Sequence, residues 1–96
     1  MAKYIALCNW TDQGIRNAKD TVQRVEQARQ SFQQAGVQID TVYWTVGDHD
    51  LVAVLDAPDD ATVTVALLRL GAAGNVRTET LRAFTAQEMQ SILSKL

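Results

Sequence analysis

Apolar and polar positions follow one another along this chain with a period that switches between two and about 3.6, and the switches divide it into seven pieces. Residues 4–10 are apolar on both parities, with Ile5 and Leu7 on one side and Tyr4, Ala6, Cys8 and Trp10 on the other. That predicts a strand covered on two faces. Residues 11–18 are polar, with Gly14 among them, and read as a loop with room for a helical turn. Asp20 stands as an N-cap with Gln23 as its capping-box partner. Val22, Val25, Ala28, Phe32 and Ala35 then recur at helical spacing, and Gly36 ends the helix as a C′ glycine. Arg24, Gln27, Gln30 and Gln34 fall on its opposite, wet side. Residues 37–46 are rich in β-branched and aromatic side chains and predict a strand. Gly47, Asp48, His49 and Asp50 form a turn, with a two-residue loop at 47–48 or 48–49. Residues 51–55, all apolar, form the second arm of an antiparallel hairpin. Pro58, Asp59 and Asp60 open another helix, with proline and acids where the helix dipole favours them. Val63, Leu67 and Leu70 make its stripe, and residues 71–74 close it. Residues 75–84 form the polar strand, carrying Arg77, Thr78, Glu79, Thr80 and Arg82. Thr85 and Glu88 make a capping box for a short last helix, which Met89, Ile92, Leu93 and Leu96 line on one face.

The order β-α-β-β-α-β plus a terminal helix is that of an α+β, ferredoxin-like unit. Right-handed crossovers place both long helices on one side of its sheet. Yet the strands over 4–10 and 51–55 are apolar on both faces, and side chains alternate between faces. Hairpin register groups Val42, Trp44, Val46, His49, Leu51, Ala53 and Leu55 on the helix side. Thr41, Tyr43, Thr45, Asp50, Val52 and Val54 fall on the other. An open patch of that kind is unusual for a monomer. A second copy of the chain is the expected cover, as a homodimer or higher homo-oligomer. The alternative is a monomer whose terminal helix folds back over the open face.

Bulk properties narrow the partners. Ninety-six residues make one domain, 1–96, with a thin core. A composition of 47% hydrophobic and 21% charged residues fits a globular chain rather than a disordered one. A net charge of -2 offers no electrostatic footprint for nucleic acid. The single cysteine, Cys8, has no disulfide partner, cannot build a zinc site, and reads as a small buried side chain. No apolar stretch has the length of a membrane span or signal-peptide core, so the expected location is the cytoplasm, with no membrane partner.

Four segments carry a resemblance. Asn9-Trp10-Thr11-Asp12-Gln13-Gly14-Ile15, Gly47-Asp48-His49-Asp50, Ala57-Pro58-Asp59-Asp60 and Gly74-Asn75-Val76-Arg77-Thr78 are similar to the GYD domain family, and the similarity runs from Tyr4 to about Ile92. The family takes its name from a Gly-x-Tyr-Asp hairpin. Gly47 and Asp50 match it, and His49 stands where the family has tyrosine. The resemblance implies a ferredoxin-like unit that pairs into a dimeric α+β barrel. That architecture serves monooxygenases, isomerases, polyketide cyclases and effector-binding domains alike, so it points to no single reaction.

Candidate chemistry centres on few residues. His49, the lone histidine, is flanked by Asp48 and Asp50 and has the make-up of a general base held by a carboxylate. A histidine beside aspartates in an exposed turn is the plainer account. Asp50, at the start of a buried strand, suits a backbone acceptor in the turn. Asp48, His49 and Asp50 point to alternate faces and make a poor metal site, so no metal and no cofactor are expected. Trp10, Tyr43 and Trp44 are core or interface aromatics, or they line a pocket between sheet and helices, where related barrels hold ligands. Arg82 either meets an anion in such a cavity or makes an interface salt bridge. The expected function is therefore a ligand-binding or assembly module, with Trp10, Trp44, His49 and Arg82 around a small apolar or aromatic ligand. The competing expectation is a cofactor-free enzyme acting on a small aromatic or enolisable molecule, with His49 as base and Tyr43 or Asp50 as helper. Gly-x-Ser-x-Gly, P-loop and Gly-x-Gly-x-x-Gly signatures are all missing.

Overall fold

A computed structural model describes residues 1–96. Strands β1 (Ala2–Trp10), β2 (Gln38–Trp44), β3 (Leu51–Ala57) and β4 (Val76–Ala83) form one antiparallel sheet in the order β2-β3-β1-β4. Helix α1 (Asp12–Arg16) and a 3-10 turn (Ala18–Asp20) lead into α2 (Thr21–Gln34). Helix α3 (Asp60–Ala72) links β3 to β4, and α4 (Ala86–Leu93) ends the chain. This is the ferredoxin-like order, with β1 and β3 at the centre.

One face of the sheet is dry. Tyr4, Ala6 and Cys8 of β1 lie beside Leu51, Ala53, Leu55 and Ala57 of β3, all buried with Phe32 of α2 and Val63 and Ala66 of α3. The other face stays open. Ile5, Leu7, Val52 and Val54 are only half-buried there, Leu81 is 44% exposed and Tyr43 64%. The alternation of burial along β3 shows the two faces residue by residue. Helix α4 does not fold back to cover the open face. Its Thr85–Glu88 capping box forms as expected, but it buries none of its residues, and Ile92 and Leu93 are 41% and 52% exposed.

The hairpin differs from the expected one in two ways. Strand β2 stops at Trp44, and residues 45–50 form a longer loop, closed by the Thr45 N–H donating to Asp50 O at 2.8 Å. Thr45 Oγ1 also donates to His49 O, which draws the loop inward and leaves Val46 fully exposed at its tip. Gly47 takes φ +114, open only to glycine without strain. Trp44 still faces Leu51, so the centre of symmetry remains between Gly47 and Asp48. The second difference is a β-bulge between Ile39 and Thr41, which returns both Ile39 and Val42 to the helix face.

Helix ends follow the sequence with one exception. Asp59 accepts from Thr62 N at 2.8 Å and caps α3, and Gly36 (φ +87) follows the last turn of α2. Asp20 makes no side-chain cap, because the preceding 3-10 turn places its backbone at φ -93, ψ 6 rather than in the extended region that aims a capping side chain inward. Val22, one residue into that helix, is correspondingly 61% exposed, and the buried stripe begins at Val25.

Candidate functional site

Small side chains on the two central strands leave room above them. Ala6, Cys8 and Ala53 floor a cavity of about 260 Å³ between the sheet and helices α2 and α3. Val25, Ala28 and Phe32 of α2 and Leu67 and Leu70 of α3 form its walls, and Trp10 and Val76 close one end. Arg24, Gln27, Arg69 and Asn75 stand around it as polar groups. Arg24 is held in place: its guanidinium donates to Asn17 O at 2.5 Å and Gly14 O at 3.2 Å. The chain's ion pairs are Lys3–Asp40, Lys3–Asp56 and Arg29–Glu26, so neither Arg24 nor Arg69 has a carboxylate partner. Arg24, Gln27 and Asn75 also line an adjoining polar recess with Asn17, Asp20 and Gln23.

Of the residues singled out in the sequence, Trp10 lines this cavity. Trp44 stands beside its rim, with Nε1 donating to Thr21 Oγ1 at 3.0 Å, and Thr21 is one of the lining residues. His49 and Arg82 are elsewhere. The Arg82 guanidinium lies 4.5 Å from the centre of the Phe84 ring and 5.6 Å from that of Tyr4, and it donates to the carbonyls of Lys3 and Ala83. It meets neither the cavity nor an acid. Tyr43 faces away, on the open side of the sheet.

The loop of residues 45–50 is pinned to the end of β1. Asn9 Nδ2 donates to Asp48 O at 2.6 Å, which turns Asn9 Oδ1 towards His49 Nδ1 at 2.8 Å. An amide oxygen only accepts, so Nδ1 is the donor in this contact. The imidazole partner is thus an amide, not Asp48 or Asp50. Asp50 Oδ2 accepts the Trp10 N–H at 2.9 Å, and Asp50 N–H donates to Cys8 O at 2.8 Å. Asp50 is a backbone anchor.

Beside it, α1 docks on the start of β4. Thr11 Oγ1 accepts from Gly14 N at 3.1 Å and donates to Gly74 O at 2.5 Å, while Gln13 Nε2 reaches Asn75 Oδ1 at 3.0 Å. The segments around Asn9–Gly14 and Gly74–Asn75 therefore serve one joint.

Two buried groups are tuned by the core. Burial pushes the Cys8 thiol up to about 11, so it stays protonated. Tyr4 donates its hydroxyl to Asp60 Oδ1 at 2.5 Å, and that bond, with burial, raises its pKa. Sequence reasoning missed this link, because its partner lies 56 residues away in the first turn of α3. No three His, Cys, Asp or Glu side chains come together to hold a metal ion. No helix is long and apolar enough to cross a membrane.

Sheet order and one-sided helices define a small α+β domain of the ferredoxin-like type. Residues 4–93 match the model of the GYD domain. The chain belongs to the GYD domain family. It is 32% identical over 90 residues to the glutamine synthetase and cystathionine beta-lyase binding protein of Thermus thermophilus, covering 93% of this chain and 95% of the relative. The crystal structure of TTHA0845, also from Thermus thermophilus, superposes with a TM-score of 0.56 at 26% identity, covering 90% of this chain and 96% of that one.

Proposed function

We propose that this chain is a non-catalytic assembly module that works as a homodimer and docks on metabolic enzymes. The bare sheet face carries the reading. Ile5, Leu7, Val52, Val54 and Leu81 lie on it together, beyond the reach of either long helix. Lys3, Asp40 and Asp56 form a charged cluster at one end, and Arg77 and Glu79 stand towards the other. A patch that is apolar in the middle and carries both signs at each end is self-complementary across a two-fold axis, which is what an isologous interface requires. The relative named as a binding protein for two enzymes supports enzymes as the partners of this chain too. A catalytic reading centred on His49 has less behind it, because the imidazole is turned to Asn9 and does not line the cavity.

Light scattering at micromolar concentration tests the pairing. A species of twice the 10.6 kDa chain mass is expected, and Val54→Lys should return it to the mass of one chain. A parent protein that runs as one chain would refute the dimer. Biolayer interferometry against purified glutamine synthetase and cystathionine beta-lyase tests the docking. Absence of binding to both, with the dimer intact, would remove the enzyme-partner half alone.

A further inference from the structure

The helix-side cavity is independent of that pairing, since it opens on the other side of the sheet. We infer that it is a binding site for a compact apolar carboxylate, with an aromatic body suited best, whose acid group is met by Arg24 and Arg69. Size sets the first limit. About 260 Å³ lies just below the range of roughly 300–1,000 Å³ usual for pockets that take drug-sized ligands, so the occupant is small. The interior sets the second. Trp10, Phe32, Leu67 and Leu70 offer aromatic and aliphatic surface and no charge, so the inserted part is apolar. Charge sets the third. Arg24 and Arg69 both line the cavity, one from α2 and one from α3, and neither is neutralised by an ion pair. Asp20, in the adjoining recess, supplies one negative charge against these two, which leaves a positive excess. Backbone carbonyls already hold the Arg24 guanidinium, so little side-chain freedom is lost when an anion arrives. Arg–carboxylate contacts are directional and charge-assisted, and they favour an acid over a neutral molecule of the same shape.

The test uses the full chain with three probes: indole-3-acetate, phenylacetate and 4-methylvalerate, titrated by calorimetry. At least one should bind with an affinity in the micromolar to low millimolar range. The corresponding neutral amide should bind about tenfold more weakly or worse, the loss expected for a charge-assisted contact. Arg24→Gln with Arg69→Gln should cost the acid a similar factor and leave the amide unchanged. Ala53→Leu, which fills the floor, should abolish binding. Should that variant fail to fold, the smaller plug Ala53→Val should weaken binding by about tenfold or more. No binding by any of the three acids, equal affinity for acid and amide, or full binding with the floor filled would each overturn the proposal.

Discussion

Gly14 lies so close to Asn75 that a β-carbon on it would stand 2.0 Å from the Asn75 carbonyl oxygen and 2.9 Å from the carbonyl carbon. Both obstacles are backbone, so neither yields to a rotamer change. Gly14→Ala must therefore push α1 off the start of β4 and loosen the Thr11 and Gln13 bonds that hold the joint. We expect a loss of roughly 2–4 kcal/mol in urea unfolding at unchanged m-value. Gly71 is the control. Nothing lies within 4 Å of its added β-carbon, and it sits inside α3. Gly71→Ala should be neutral or stabilising by up to about 1 kcal/mol.

Alkaline titration should weaken the fold through Cys8 and Tyr4. The bond to Asp60 raises the Tyr4 pKa and burial raises that of Cys8, so the native state keeps protons that the unfolded chain gives up. Stability is then complete below pH 9.0, the ordinary value of the thiol, and falls as pH rises to about 11. For Cys8 alone the fall is about 3 kcal/mol, at 1.36 kcal/mol per pH unit. Urea midpoints measured across that window should show the decline, and Cys8→Ala should flatten most of it. An equally steep decline in the variant would place its cause elsewhere.

At the acid end the sign reverses. Asp59 caps α3, and its bonds to the Thr62 side chain and backbone hold its carboxyl below the usual 3.8. Its contribution is present above that pH and lost as pH falls through the depressed native value. Asp59→Ala should lower the melting temperature by a few degrees at pH 7, while Asp59→Asn, which keeps an acceptor, should lower it less. The difference between parent and Asp59→Ala should shrink when both are melted at about pH 3.

Helix α4 contributes no buried residue. A chain ending at Thr85 should keep cooperative unfolding and a melting temperature within about 3 °C of the parent, read by circular dichroism. A larger drop would mean that Met89, Ile92 and Leu93 find cover in solution, on a neighbouring copy.

Element order, the open sheet face, the Thr85 capping box and the acid-led start of α3 were legible in the sequence, because each rests on local spacing. The parity of β1 separates Ile5 and Leu7 from Tyr4, Ala6 and Cys8, and Thr85 with Glu88 announces its helix within four residues. What stayed hidden depends on distant neighbours. The bulge at Asp40 leaves no periodic signal, yet it decides which face Ile39 joins. Asp20 has the right residue type for a cap, and the 3-10 turn before it denies the backbone geometry. A cavity lies between sheet and helices, with Trp10 lining it and Arg82 outside it. Arg82 is apart from it because β4 carries that residue opposite Tyr4, at the far end from Trp10 and Val76. Arg24 reads as a solvent-facing helix position until α2 is laid on the sheet.

The bulge has a consequence for how copies of this chain meet. Strand β2 is an outer strand, and its outward backbone groups would otherwise template another strand beside them. A kink at Asp40, with a carboxylate already bound to Lys3, spoils the straight ladder that such growth needs. Association of another strand along β2 is thereby disfavoured. Addition along an edge has no natural end, so the one extra residue in β2 is a guard against fibre growth from that strand, and it leaves the proposed face-to-face pairing free.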